Sequence, residues 1–122
     1  MKLAIVIAAA LAASAAYAEN RVENGAAVFK KCTACHNVER SENRVGPHLV
    51  GILGRPAGSL PGYSNYSDVM RAAGEKGLRW DEENLTEFLS SPKKYLPGTR
   101  MAFAGLKEPQ DVRDLILFLG TR

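Results

Sequence analysis

The sequence lacks several features that mark common functional classes. Its 122 residues include only two cysteines, two histidines and one tryptophan, so there is no second cysteine pair for a structural zinc site. The 16 basic and 13 acidic residues give a formal charge of only +3, without the long Lys/Arg run that would indicate nucleic-acid binding. After the first residues, no segment is both long and apolar enough to span a membrane. A chain this short holds one domain, whose core a cofactor would help to fill.

The N-terminal segment has the pattern of a secretory signal peptide. Residues 1–18 contain one lysine, an apolar stretch over about residues 3–13, and a small-residue ending of A-x-A form at residues 16–18. We therefore predict a signal peptide over residues 1–18 and a mature domain over residues 19–122, located in the periplasm. The apolar stretch is shorter than the roughly 20 residues of a spanning helix, and an uncleaved anchor is the alternative. Removal of this segment would leave 15 basic and 13 acidic side chains.

Apolar spacing in the rest of the chain indicates an all-α fold. Glycine and proline are so dense in residues 41–66 that long regular structure is excluded there, yet residues such as Ile52 and Tyr63 favour an ordered loop over a flexible linker. No stretch alternates apolar and polar residues as a strand would. Five helices are predicted. The first covers residues 22–31, the second follows a cap at Ser67 and ends at residue 73, and the third follows a cap at Asp81 and ends at Pro92. The fourth covers residues 93–96 and the fifth runs from Pro109 to residue 119.

The pentapeptide Cys32-Thr33-Ala34-Cys35-His36 matches C-x-x-C-H, the attachment sequence for c-type haem. On a helical turn, positions i, i+3 and i+4 share a face, so Cys32 and Cys35 could both bond one edge of the porphyrin while His36 points at the iron. Three alternatives stay open. They are a thioredoxin-like redox pair, which would need a βαβ context that the sequence lacks, a zinc site with His48 as a further ligand, and a plain disulfide.

A haem electron carrier needs a protein ligand in the second axial position of the iron, and three methionines are candidates. Met1 would leave with the signal peptide, and Met70 lies in a short predicted helix, where methionine more often fills a core. Met101 follows Pro97-Gly98-Thr99-Arg100, a stiff turn and extended segment that could hold its thioether in place. A methionine opposite a histidine raises the reduction potential. Met101 is the preferred candidate, with core filling as the alternative.

These motifs belong to a longer set of segments. In chain order the segments are FKKCTACH at 29–36, GPHL at 46–49, GR at 54–55, PGY at 61–63, Trp80, and SPKKYLPGTRMAFAG at 91–105. In this order they resemble class I cytochromes c, particularly the mitochondrial and bacterial cytochrome c2-like members, and the resemblance extends over residues 25–119. It implies the cytochrome c fold, with three to five helices and long loops wrapped around one covalently bound haem c.

The resemblance also implies how the iron is held. Met101 would be the sixth ligand opposite His36. Pro47 and Phe103 are expected next to these ligands, with the Pro47 carbonyl accepting a hydrogen bond from the far nitrogen of His36. Such a bond fixes the ring orientation and makes the imidazole a better donor to the metal.

Further roles follow from the same resemblance. Arg55, Tyr66 and Trp80 would hold the haem propionates, since buried carboxylates need hydrogen-bond donors. An ordinary core aromatic or surface arginine is the alternative for each of them. The first and last helices are expected to cross near Gly25 and Phe118.

Three positions depart from the family pattern. Phe88 stands where many members carry a tyrosine whose hydroxyl bonds near the methionine sulfur. His48 stands where asparagine is usual, and is either an ordinary loop histidine, a spare ligand or a pH-sensitive group. The stretch from Tyr63 to Trp80 is longer than in mitochondrial members, which could alter one side of the haem pocket.

Positive side chains flank the two segments that carry the predicted iron ligands. They are Lys30, Lys31, Lys93, Lys94 and Arg100. They could surround the exposed haem edge and steer acidic partners by long-range attraction, and the alternative is that they are simply solvated.

The implied function is one-electron transfer by a soluble, monomeric periplasmic carrier rather than an enzyme. Its expected partners are membrane complexes, with a quinol:cytochrome c oxidoreductase of the bc1 type as donor and a terminal oxidase or photosynthetic reaction centre as acceptor. No nucleic acid or small-molecule substrate is expected. The alternatives are a haem peroxidase or gas sensor with an open sixth position, and a disulfide oxidoreductase.

Overall fold

The computed structural model describes residues 2–122, with side chains described from residue 7 onward. In this part the chain forms five α-helices: α1 Lys2–Phe29, α2 Asp68–Glu75, α3 Glu82–Ser90, α4 Pro92–Tyr95 and α5 Pro109–Leu119. Its β structure is one isolated antiparallel bridge between Pro56 and Arg79. The predicted all-α class with three to five helices is confirmed.

Helix α1 is longer than predicted, because it begins at Lys2 rather than near Val22. Residues 7–20 include eight alanines, the best helix formers, and no glycine or proline interrupts the helix before Gly25. The side chains of residues 7–20 are exposed, so local preference rather than packing makes this part helical. The predicted cleavage after Ala18 falls inside the helix and stays a prediction. No helix among the described residues has the length and apolarity needed to cross a membrane.

The core lies where the C-terminal part of α1 crosses α5. A Cβ atom on Gly25 would overlap the carbonyl oxygen of Asp114 and lie 2.7 Å from Cβ of Phe118, so glycine is required for this close approach. The ring centroids of Phe29 and Phe118 are 5.7 Å apart. The crossing expected near Gly25 and Phe118 is confirmed, and it fixes the end of α1 from which the cysteine motif follows.

A polar network joins the same two helices. The buried Asp114 carboxylate accepts hydrogen bonds from Arg21 Nε at 2.9 Å, Asn24 Nδ2 at 2.8 Å and Gln110 Nε2 at 2.8 Å. Burial alone would raise the pKa of Asp114, but these hydrogen bonds lower it below its ordinary value. The carboxylate is therefore ionised at neutral pH and ties α1 to α5.

The shorter helices begin where their capping residues predict. Ser67 Oγ accepts a hydrogen bond from the Met70 N–H at 3.1 Å, and Asp81 Oδ1 accepts one from the Asn84 N–H at 2.8 Å. Pro109 is the first residue of α5. Local sequence was sufficient to locate these starts.

Residues 41–66 form an ordered loop, as predicted. Ile52 is buried within it. The Gly54 N–H donates to the Trp80 carbonyl at 2.8 Å, and the Trp80 N–H donates to the Arg55 carbonyl at 2.9 Å. These bonds connect the loop to the chain around Trp80, so that the loop covers part of the core.

Candidate functional site

One cavity brings most of the predicted site residues together. The cavity and the solvent space at its opening together span about 1430 Å³. The predicted residues in its wall are Lys31, Cys32, Cys35, His36, Pro47, Arg55, Tyr66, Trp80, Arg100, Met101 and Phe103. Lys30, Lys93 and Lys94 are not part of the wall. Segments that are far apart in the sequence therefore converge on a single site.

The cysteine motif lies on a helical turn directly after α1. The Cys32 N–H donates to the Phe29 carbonyl at 2.7 Å. The N–H groups of Cys35 and His36 both donate to the Cys32 carbonyl, at 3.1 and 2.9 Å. The turn thus has the i, i+3, i+4 geometry that the spacing predicts, with all three side chains at the cavity.

Two backbone features orient the His36 ring. Its Nδ1 lies 2.7 Å from the Pro47 carbonyl oxygen, and because a carbonyl can only accept, Nδ1 carries the proton. Gly46 packs against the ring, where a Cβ atom would lie 2.5 Å from Cε1 of His36. Burial lowers the pKa of His36, although the hydrogen bond to Pro47 acts in the opposite direction. The imidazole is therefore neutral near pH 7, and its Nε2 lone pair is available to a metal.

Cys32 differs electrostatically from a redox-active thiol. Burial raises the pKa of Cys32 to about 11, and Cys35 adds to this rise while Lys31 opposes it. Thioredoxin-like cysteines react as thiolates whose pKa is lowered. The shift at Cys32 has the opposite sign, which counts against the disulfide oxidoreductase alternative.

Met101 lies in an extended segment after α4. Its side chain is half-buried, borders the cavity and packs against the core. The preceding turn contains Gly98 at a φ of +94°, and a Cβ atom there would lie 3.1 Å from the side chain of Val69 in α2. The predicted turn is thus present, and it packs on α2 while Met101 borders the cavity.

The three residues expected at the propionates all border the cavity. Arg55 donates from Nη1 to the His48 carbonyl at 2.8 Å and from Nη2 to the Val50 carbonyl at 2.7 Å, which uses two of its five N–H groups. Burial raises the pKa of Tyr66, so its hydroxyl stays protonated at neutral pH. Trp80 is buried and keeps its indole N–H as a donor. Each can therefore donate a hydrogen bond to a carboxylate, and their propionate role stays a prediction.

The remainder of the wall is mainly apolar. Its apolar members outside the predicted set include Phe29, Leu49, Ile52, Met70, Leu85, Phe88, Leu89, Leu115 and Leu119. Phe88 packs against Trp80, with ring centroids 4.8 Å apart. Met70 also borders the cavity, so both internal methionines are near the site. Such a wall excludes water from whatever group it surrounds.

Sequence reasoning did not single out two wall residues that matter. Gly46 supports the His36 ring, and Asn65 contacts Arg100. The position of Gly46 directly before Pro47 was a possible signal. In a loop with many glycines, however, the sequence does not distinguish a glycine that supports a side chain from one that only permits a turn. Asn65 left no local signal, because its partner is 35 residues away.

His48, which we expect to depart from the family pattern, does not reach the cavity wall. Its Nδ1 is buried and has no hydrogen-bond partner among the described residues. Burial lowers the pKa of His48, and the charge of Arg55 adds to this effect. Its place beside the wall favours the ordinary loop histidine over the spare ligand.

The five predicted docking residues, Lys30, Lys31, Lys93, Lys94 and Arg100, are all exposed. Lys93 and Lys94 lie in the last turn of α4, where a positive charge suits the helix end. Arg100 differs from the lysines because its Nη1 donates to Asn65 Oδ1 at 2.9 Å. A docking role for these residues stays a prediction.

The donor set fits a haem iron. A neutral imidazole and a thioether are suitable axial ligands, and two thiols on one turn suit attachment along one porphyrin edge. Within residues 2–122, no group of three or more His, Cys, Asp and Glu side chains is arranged to hold a metal ion. The cavity therefore has the chemistry of a haem site rather than of a closed zinc site.

Comparison with known proteins identifies the family. The family model described as cytochrome c matches residues 22–122. A cytochrome c2 from Agrobacterium tumefaciens (strain II Chrys) is 49% identical over 102 residues, which cover 83% of this chain and 91% of the relative. A cytochrome c2 from Rhodomicrobium vannielii is 45% identical over 123 aligned positions, covering 100% of this chain and 95% of the relative.

A solved structure shows the same likeness. Cytochrome cH from Methylobacterium extorquens superposes with a TM-score of 0.75 at 41% identity, covering 83% of this chain and 98% of that one. The chain therefore belongs to the cytochrome c family, whose members carry electrons on a covalently bound c-type haem.

Proposed function

We propose that this chain is a periplasmic one-electron carrier in which His36 and Met101 are the axial ligands of the haem iron and Cys32 and Cys35 form its thioether bonds. The observation that carries the proposal is that both candidate ligands and both cysteines border one largely apolar cavity. When bound there, the haem supplies a one-electron couple, whose potential is raised by a His/Met ligand pair.

The protein's own residues orient the ligands and exclude water. Pro47 and Gly46 hold the His36 ring in one orientation, and burial keeps the ring neutral. The apolar wall keeps the surroundings of Met101 dry, so little has to rearrange when the charge of the site changes. Arg55, Tyr66 and Trp80 supply donors for two propionates, which would otherwise be costly to bury.

The N-terminal sequence pattern supports export, and the exposed positive charge supports docking to acidic partners. Removal of residues 1–18 would deliver residues 19–122 to the periplasm as a monomer. There the carrier would accept electrons from a bc1-type quinol:cytochrome c oxidoreductase and pass them to a terminal oxidase or a photosynthetic reaction centre. Exposed Lys30, Lys31, Lys93 and Lys94 support transient docking to acidic surfaces.

Carbon monoxide binding to the reduced protein tests the ligand assignment. Wild type is expected to resist carbon monoxide, since Met101 fills the sixth position. Met101→Ala is expected to bind it readily because the iron is then open, whereas Met70→Leu, which tests the other methionine at the cavity, is expected to leave the iron closed. Ready binding by wild type would instead support the gas-sensor or peroxidase alternative, and opening by Met70→Leu alone would transfer the ligand role to Met70.

A further inference from the structure

The segment that carries Met101 has few polar ties to the rest of the chain. The Thr99 N–H donates to the Leu96 carbonyl at 3.1 Å, and the Met101 N–H donates to Thr99 Oγ1 at 3.3 Å, so both bonds are local. The one hydrogen-bonded residue that connects residues 97–104 to a distant part of the described chain is Arg100. The position of Met101 therefore depends on side-chain packing and on this single polar link.

The link joins two exposed side chains at the mouth of the cavity. Arg100 Nη1 donates to Asn65 Oδ1 at 2.9 Å and approaches the Asn65 carbonyl oxygen at 3.4 Å. Both residues belong to the cavity wall. A hydrogen bond from a charged donor is stronger than a neutral one, although exposure to water reduces its contribution.

The backbone around Asn65 is held in place by contacts of the residues on either side of it. The Tyr63 hydroxyl donates to the Val45 carbonyl at 2.7 Å, next to the glycine that packs on His36. The rings of Tyr63 and Tyr66 meet edge to face with centroids 4.8 Å apart. Ser67 is buried and caps α2. Residues 63–67 thus connect the segment behind His36 to the segment that carries Met101.

Packing at the preceding turn reinforces this arrangement. Val69 of α2 lies against Gly98, three residues before Met101. Asn65 and Val69 both belong to the stretch between Tyr63 and Trp80. This stretch therefore supports the Met101 segment at two points, one polar and one apolar.

We propose that Arg100 and Asn65 form a clamp that positions Met101, so that Arg100 is a positioning residue for the sixth ligand and not only a docking charge. The inference rests on the proposed ligation of the iron by Met101. Arg100 acts through the segment it belongs to, by holding residues 97–104 against residues 63–67. Loss of either side chain should let the thioether leave the iron more often, while loss of an unrelated surface arginine should not.

Imidazole binding to the ferric holoprotein tests the clamp, because imidazole reaches the iron only when Met101 has left it. The variants are Arg100→Gln, Asn65→Ala and the double variant, and Asn65→Ala is the most informative because it keeps the charge of Arg100. Arg71→Gln is the matched control, since Arg71 is also exposed and donates to Asp68 at 2.7 Å within α2.

We expect both single variants to bind imidazole about fivefold more tightly than wild type, and the control to stay within about twofold. The double variant should bind no more tightly than the tighter single variant, because the two residues act as one unit.

Three results would overturn the clamp. One is unchanged affinity in Asn65→Ala, the second is an equal gain in Arg71→Gln, and the third is full additivity in the double variant. The Met101→Ala variant is the reference that distinguishes failure of the clamp proposal from failure of the proposed ligation by Met101. If wild type binds imidazole as readily as Met101→Ala and lacks the methionine-to-iron charge-transfer band, Met101 is not the ligand and the clamp falls with it. If wild type shows the band and binds weakly, the ligand assignment stands whatever the clamp variants do.

Discussion

Single residues decide how the cavity presents its donors. The His36 ring is placed by a carbonyl on one side and by the absence of a side chain at Gly46 on the other. Burial keeps the ring neutral, and the hydrogen bond to the Pro47 carbonyl places its proton on Nδ1. This arrangement leaves Nε2 unprotonated, so in the proposed site no proton would have to leave the ring when iron binds.

Substitution of Gly46 by alanine should disturb this arrangement. The new Cβ would lie 2.5 Å from His36 Cε1, so the ring or the loop has to move. We expect Gly46→Ala to lose about 1–3 kcal/mol of unfolding free energy and to give less holoprotein, measured by denaturant unfolding and by haem content.

Gly120→Ala is the control for this substitution. Gly120 has a φ of −65°, and its Cβ would make an ordinary contact at 3.4 Å with the Leu117 carbonyl oxygen. It should match wild type in haem content. Equal stability and haem content in Gly46→Ala would show that the loop moves without cost and that Gly46 does not orient the ring.

Pairs of helices carry the stability that the cavity depends on. The crossing of α1 and α5 combines an apolar contact at Gly25 with the polar network around Asp114. The cysteine motif follows α1 immediately, and α5 contributes Leu115 and Leu119 to the cavity wall. Weakening this crossing should therefore loosen the site as well as the fold.

The network predicts a pH dependence of stability. Hydrogen bonds lower the folded-state pKa of Asp114, so its contribution is present above the ordinary value near 4 and is lost as the pH falls through the lowered value. We expect Asp114→Asn to unfold about 1–3 kcal/mol more easily than wild type at neutral pH. The difference should shrink as the pH is lowered below about 4, measured by denaturant unfolding at several pH values.

Asp68→Asn provides the comparison for an exposed carboxylate. The Asp68 side chain is 94% exposed and pairs with Arg71 at 2.7 Å. Its removal should change stability by no more than about 0.5 kcal/mol at neutral pH, since exposed ion pairs contribute little. A pH-independent difference between wild type and Asp114→Asn would contradict the assigned role of Asp114.

At the scale of the whole molecule, residues from distant parts of the chain surround one cavity. The wall of the cavity is mainly apolar, so a group that fills the cavity would add to the apolar surface that the chain buries. Export, haem attachment and folding are therefore expected to be linked. The mature chain would carry 15 basic and 13 acidic side chains, so its local charge distribution matters more for docking than its net charge.

Intact mass under denaturing conditions tests the mature form of the molecule. We expect the mass of residues 19–122 plus one haem, because thioether bonds survive denaturation while other haem contacts do not. The measurement is mass spectrometry of protein exported by a host that matures other cytochromes c. Retention of residues 1–18 with haem attached would contradict cleavage but not attachment, and an unmodified polypeptide mass would contradict attachment through Cys32 and Cys35.

Features that depend only on neighbouring residues could be predicted from the sequence. The spacing of Cys32, Cys35 and His36 indicated their common face, and the caps at Ser67 and Asp81 located two helix starts. Such features need only one turn of chain, so local preferences decide them. The length of α1 was the exception. The signal-peptide pattern led us to predict that the first helix starts near Val22, whereas the alanines before it favour one uninterrupted helix from Lys2.

Contacts between residues that are far apart in the chain could not be predicted from the sequence. The contact between Arg21 and Asp114 spans 93 positions, and the contact between Asn65 and Arg100 spans 35. The support of His36 by Gly46 and the shared cavity of Met70 and Met101 likewise depend on how the loops wrap. No local preference encodes such pairs, because each is fixed by the crossing of α1 with α5 and by the loop that closes over the core.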